Sequence, residues 1–310
     1  MQRLYIKTTA FFLIIVVLYF FFTYDFEVHD KHSVTVTKEQ QLLHQIKKEA
    51  SKYEEAPEDA YIDRVWKKTP GREGRKVNLK ESYEKMKEQG VYDTDLIVYD
   101  TVAPEIHLDD LPASPIYRGH PDKNMVSLLI NVSWGEEHIP SMLQTLKDHQ
   151  VKATFFIEGQ WAANNKDEVK MIAEQEHIIG NHAFNHPDMA KMTDQQIKEQ
   201  IEKTNDILKA ITGETPTWFA PPSGSYNDQV VTIAHDMKMQ TILWTVDTID
   251  WQNPSVSVMM DRVMTNTHPG ATILMHPTNT IVQGLDRLID SLKEEEYKVG
   301  TIEQLLQESR

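Results

Sequence analysis

His182 and His186 stand four residues apart in the stretch GNHAFNHPDM, with Gly180 before them and Pro187 directly after. Two imidazoles at that spacing can hold one divalent ion, but two loop histidines can also fall that close without one. The chain contains 13 histidines, so the spacing alone decides nothing. Other polar and aromatic groups give the pair its meaning. Asn131 lies near the end of the apolar run VSLLINV, Trp134 comes two residues past it, and FAPPSGSY covers residues 219–226. Asp247, Asp250 and Trp251 lie within WTVDTIDW, and His276 ends ILMHP. The chain has no cysteine, so any metal must be held by His, Asp or Glu.

These residues need elements that carry them to one place. Strand-like apolar runs occupy residues 126–132, 153–159, 177–183, 216–222, 240–247 and 271–277, with a short one at 297–300. Helical patterns fall between them. The clearest is TDQQIKEQIEKTNDILKAITG, where Thr193 and Gln196 form a capping box. Ile197, Ile201, Leu208 and Ile211 give it one apolar face, and Gly213 closes it. Seven strand–helix units with near-continuous apolar strands predict an α/β fold, a parallel sheet wound into a distorted (β/α)7, TIM-like barrel. Chemistry in such barrels sits past the carboxyl ends of the strands, and the polar residues named above fall at those ends. His182 and His186, sharing a rim with carboxylates and a third histidine, then read as candidate metal ligands.

Over residues 120–310 the chain resembles the polysaccharide deacetylases, the NodB-homology domains of carbohydrate esterase family 4. The motifs GNHAFNHPDM, FAPPSGSYN, WTVDTIDWQNPS and ILMHP carry the resemblance in order and spacing. It looks closest to the sporulation-associated, membrane-anchored branch. The resemblance implies a divalent metal, zinc foremost, and hydrolysis of N-acetyl groups on peptidoglycan or chitin-like sugars. By the same resemblance His182 and His186 match the metal histidines. His276 matches the acid that protonates the leaving amine, tuned by Asp247, with Asp250 the alternative. Trp251, Pro221, Pro222, Tyr226 and Trp134 fall at the sugar-binding wall.

Three positions depart from the family pattern. Asn131 stands where the family has its base, Val132 where it has its metal carboxylate, and Ala220 where it has its bracing arginine. An amide has no usable proton affinity near neutral pH, and valine ligates nothing. Losing general-base help alone costs about two to four decades in rate. Glu136 and Glu137 follow directly and could act as substitute carboxylates; the alternative is that they open the next helix in solvent. Two functions therefore stand side by side. One is a metal-dependent deacetylase of cell-wall or spore-envelope glycans. The other is a catalytically inactive glycan-binding or envelope-assembly protein on the same fold.

The rest of the chain bounds these readings. Net charge is −15, which argues against a nucleic-acid partner. No glycine-rich phosphate loop follows the late strands, where ILMHPTNT lies. Arg3 and Lys7 precede an uncharged run, residues 8–24, and Asp25, Glu27 and Asp30 follow it. With no small-residue cleavage site, residues 1–24 predict an uncleaved signal anchor: a single-pass cell-membrane protein with its bulk outside the cytoplasm. Residues 25–119 read as a polar, helical accessory segment, with helix from Thr37 through the YIDRVWKK stretch and a second short helix near Asn78. That segment ends in the proline-rich linker DLPASPIYRGHPDKN.

Overall fold

The computed structural model describes residues 37–310. The expected anchor, residues 1–24, lies outside them, and among the described residues no helix is long and apolar enough to cross a membrane. The described chain forms two compact units, residues 37–54 with Lys76–Asp100, and Glu55–Arg75 with Thr101–Arg310. The expected boundary at residue 119 falls within the second of these units.

The smaller unit is built on helices α1 (Lys38–Ala50) and α2 (Leu79–Met86). Thr37 and Gln40 form a capping box at the start of α1, and the Asn78 side chain caps α2 by accepting from the Glu81 N–H. Leu42, Ile46 and Ala50, four apart, share one face of α1 and pack with Val77 and Met86.

α1 stops at Ala50, short of the helix expected from the sequence. The YIDRVWKK stretch instead forms a hairpin in the larger unit, β1 (Tyr61–Asp63) against β2 (Lys67–Thr69). Pro57 interrupts the helix, and the Asp63 carboxylate then accepts from the Val65 and Trp66 N–H groups, closing a turn. β3 (Gly74–Val77) and β4 (Tyr99–Val102) lie where the chain passes between the units.

Eight strands make the sheet of the larger unit. They are β5 (Met125–Val132), β6 (Thr154–Ile157), β7 (Ile178–Asn181), β8 (Trp218–Phe219), β9 (Gln240–Thr241), β10 (Val246–Asp247), β11 (Thr272–Met275) and β12 (Lys298–Gly300). All their pairings are parallel, in the order β10-β11-β5-β6-β7-β8-β9, with β12 beside the first three residues of β5. The helices between them are α3 (Ile139–Asp148), α4 (Gly159–Asn164), α5 (Lys166–Glu174), α6 (Asp194–Thr212), α7 (Asp228–Asp236), α8 (Val256–Asn266), α9 (Asn279–Glu294) and α10 (Ile302–Leu306). α6 starts at the Thr193/Gln196 capping box and ends at Gly213 in the left-handed region, as its pattern predicted.

Two features depart from a seven-unit barrel. The run at 240–247 breaks into two short strands, β9 and β10, which are the two ends of the sheet rather than one strand within it. The proline-rich segment is also no linker. Ile116, wholly buried, donates its N–H to Thr241 O and accepts from the Leu243 N–H, while Tyr117 O accepts from the Thr272 hydroxyl. This segment therefore bonds both to the β9 edge and to the start of β11. Its side chain packs with Leu129, Phe156, Ala220 and Ile242 on the inner face of the sheet. The result is an open-sided α/β barrel whose gap is filled by a single strand-like residue.

Candidate functional site

Strand β5 sorts its residues by alternation. Val126, Leu128, Ile130 and Val132 belong to the large apolar cluster shared with the surrounding helices. Met125 and Leu129 turn inward, and Asn131 follows in the same register, 4% exposed, lining a cavity at the carboxyl ends of the strands. Its Oδ1 is buried without a hydrogen-bond partner. Val132 does not line that cavity; it is wholly buried in the outer layer.

The next wall comes from the end of β7. The Asn181 amide donates to Ile201 O and Asn205 Oδ1 and its carbonyl accepts from the Ala183 N–H, which ties the exit of the strand to α6. Ala183 (φ 59°) and His186 (φ 56°) then take left-handed backbone, folding the loop back on itself. The His182 and His186 rings meet edge-on at 5.3 Å. His182 Nδ1 lies 2.7 Å from Ala220 O, so Nδ1–H donates and Nε2 keeps its lone pair. Burial, with His186 adding to it, pushes the His182 pKa down to about 3. Burial also lowers the His186 pKa. Both rings are held toward the neutral form.

His276, at the end of β11, lines the same cavity. Its ring stacks on Trp134 at 5.2 Å with 14° between the planes. The carboxylate that meets it is Asp250, 3.0 Å from Nδ1, and not Asp247. Asp250 is fully buried and also accepts from the His276 backbone N–H, the Thr278 hydroxyl and the Thr248 hydroxyl. Those bonds fix it as the partner. Asp247 lines the cavity while its Oδ1 accepts from the Ile249 N–H.

The cavity measures about 360 Å³. Trp134 and Trp251, 43% and 53% exposed, stand at its walls with Trp244. The remaining expected sugar-wall residues are elsewhere. Tyr226 bonds through its hydroxyl to that of Tyr117, and Pro221 and Pro222 are buried, leaving Ser223 as the lining residue of that loop. Glu136 accepts from the Trp161 indole at 3.4 Å, and Glu137 lies against His138; neither lines the cavity. Trp244 was hidden because the run around it read as strand interior, and the break between β9 and β10 is what turns it to the cavity. Ser223 and Leu274 carried no signal of their own.

The donor set can be tested against a catalytic divalent ion. Such a site takes three protein ligands, with anionic charge to balance the metal. Here the lining offers two imidazoles held toward the neutral form, an amide, and His276 already bonded to Asp250. Its one carboxylate, Asp247, does not come within ion-sharing distance of two other histidine or carboxylate groups. Among the described residues, the clusters of three histidine and carboxylate groups close enough to share an ion are Glu58/His120/Asp122 and His149/Asp286/Asp290, neither in this cavity. Glu158, the buried carboxyl next along β6, has its pKa raised by burial and does not line the cavity. The residues present do not fit a catalytic dication.

Fold and site together define an open α/β barrel with a histidine-lined, tryptophan-walled cleft at its strand ends. Residues 118–242 match the family model described as polysaccharide deacetylase. A peptidoglycan-N-acetylglucosamine deacetylase of Bacillus cereus is 34% identical over 199 residues, 63% of this chain and 72% of that protein. An uncharacterised protein of Bacillus subtilis, YlxY, is 48% identical over 281 residues, 90% of this chain and 88% of that protein. The solved structure of wild-type BA3943 from Bacillus anthracis, described as a CE4-family pseudoenzyme, superposes with a TM-score of 0.82 at 49% identity, covering 87% of this chain and 96% of that one. A mutant of the same protein, described as having restored enzymatic activity, superposes with a TM-score of 0.82 at 48% identity, covering 87% of this chain and 99% of that one. This chain belongs to the polysaccharide deacetylase family. Deacetylases of that family are metal-dependent.

Proposed function

We propose that this protein is a glycan-binding member of the polysaccharide deacetylase family in which amide hydrolysis has lapsed. One observation carries the proposal: β5 and its exit bring an amide, Asn131, and an indole, Trp134, to the cavity and no carboxylate, while Val132 faces away into the apolar layer. Without a base, a water in the cleft cannot be deprotonated by that strand, and without a third ligand a metal is not held. The pseudoenzyme relative supports the reading. What remains is recognition. Trp134, Trp244 and Trp251 offer aromatic faces to sugar rings, and the ligand class is an N-acetylated or partly deacetylated cell-wall glycan.

The test pairs chemistry with binding. With added zinc or cobalt, acetate release from N-acetylglucosamine oligomers or peptidoglycan is expected to stay at the level of a His276→Ala control. Saccharide binding is expected to persist and to weaken about tenfold in Trp251→Ala. Tight one-to-one zinc, or acetate above the control, would sink the proposal in favour of a working deacetylase. The charge pattern around residues 8–24 supports placing the barrel outside the cytoplasmic membrane, tethered to it. Protease accessibility of the barrel in intact cells tests that placement, and full protection overturns it.

A further inference from the structure

The cleft has a definite chemical polarity. His182 spends Nδ1–H on Ala220 O, so the nitrogen left over is an acceptor. His276 likewise commits Nδ1 to Asp250, which leaves Nε2. The His186 ring lies against His182 in the same lining. Asp247 contributes a carboxylate, and no lysine or arginine lines the cavity. Asn131 adds an amide with an oxygen that nothing in the protein satisfies. A ligand that fits must therefore bring hydrogen-bond donors and, best, positive charge. Tryptophan faces at the rim attract a cation as well as a sugar ring.

We infer that the cleft selects the deacetylated form of the glycan, seating the free ammonium group of a hexosamine among Asp247, the imidazole lone pairs and Asn131. The inference rests on the glycan-binding reading above and narrows it to one ligand chemistry. An ammonium donates three hydrogen bonds and carries the charge that the Asp247 carboxylate would otherwise leave unmatched. An N-acetyl group presents one N–H and an acceptor carbonyl, and the carbonyl finds no cationic side chain in the lining. That carbonyl would meet imidazole lone pairs with only the Asn131 amide N–H to donate to it, and the Asp247 charge would stay uncompensated.

Calorimetric titration of the full chain in the presence of a chelator tests this. The probes are oligomers of N-acetylglucosamine and of glucosamine matched in length, at a pH where the amines are protonated. Glucosamine oligomers are expected to bind at least about tenfold more tightly, the ratio of one added charge-assisted hydrogen bond. Asn131→Leu and Asp247→Asn should each bring the two ligands to within about twofold of one another. Asn131→Leu leaves net charge unchanged, so a preference that survives it reflects general attraction to a chain of net charge −15 and overturns the inference. If Asn131→Leu fails to fold, Asp247→Asn, an isosteric change at a half-buried position, decides alone. Equal affinity, or preference for the acetylated oligomer, overturns the inference and leaves the glycan-binding reading standing. Binding of neither oligomer overturns both.

Discussion

At the scale of single residues, one position separates recognition from catalysis. Asn131 keeps the shape of an aspartate but not its proton affinity, and Val132 is buried on the other side of β5. Val132→Asp places its carboxylate away from the cavity, so Asn131→Asp/Val132→Asp is expected to gain no third metal ligand from residue 132 and to release no acetate. That carboxylate lies in an apolar layer, so the double variant should melt below the wild type and stay there on adding zinc. Acetate release, or a melting temperature restored by zinc, would show that residue 132 turns to the cavity after all. The two aspartates near His276 also separate by mutation. Removing one partner from a buried, fully bonded pair costs about 3–5 kcal/mol, which is the expectation for Asp250→Ala. Asp247→Ala, half-buried with one backbone bond, should cost about 1 kcal/mol. Denaturant unfolding of the two variants would reverse the assignment if the order were the opposite.

Among the elements, the loops at the strand ends do the positioning, and several pass through unfavourable backbone to do so. Ala183, His186, Ser223, Ile249 and Asn253 all have φ between 52° and 59°, a region side-chain-bearing residues seldom adopt. The tightest approach is at Gly135 (φ 81°), where an added Cβ would stand 2.1 Å from Pro277 O. That contact ties the loop after β5, with Trp134, to the loop after β11, with His276. Gly135→Ala should therefore destabilise by about 2 kcal/mol or more and weaken saccharide binding by parting the Trp134–His276 stack. Unchanged affinity in a folded Gly135→Ala protein would show that the two loops act independently. The α6 capping box, its apolar face and its closing glycine were legible in the sequence because each depends on neighbours within one or two turns. The expected helix over YIDRVWKK failed for the opposite reason. A short Asp63-centred turn outweighed a weakly amphipathic pattern.

For the molecule as a whole, pH acts through histidines buried without charge. His177 accepts from the Ala153 N–H through Nδ1, and burial pushes its pKa from 6.5 to about 4. Below pH 6.5 the unfolded chain takes up a proton there that the folded chain refuses until about pH 4. Stability is therefore fully present above 6.5 and falls as pH drops through that window, by at most about 1.4 kcal/mol per pH unit for this group. His177→Gln is expected to flatten that slope in denaturant unfolding followed from pH 7 to pH 4. An unaltered slope would assign the acid sensitivity to other groups, His182 and His186 first, since burial lowers their pKa values too.

The amino-acid sequence by itself determined the strand–helix alternation, the family, the histidine pair and the absence of a carboxylate at the end of the first barrel strand. Each of these is written in local pattern or residue type, which folding does not alter. Only the tertiary structure decided that Asp250 rather than Asp247 holds His276, that Trp244 and Ser223 join the cleft, and that Glu136 and Glu137 do not. It also showed that the proline-rich stretch around Ile116 completes the barrel. Those facts depend on which backbone groups remain unpaired once the strands are in place, and the strand ends meet only through contacts between residues far apart in the chain.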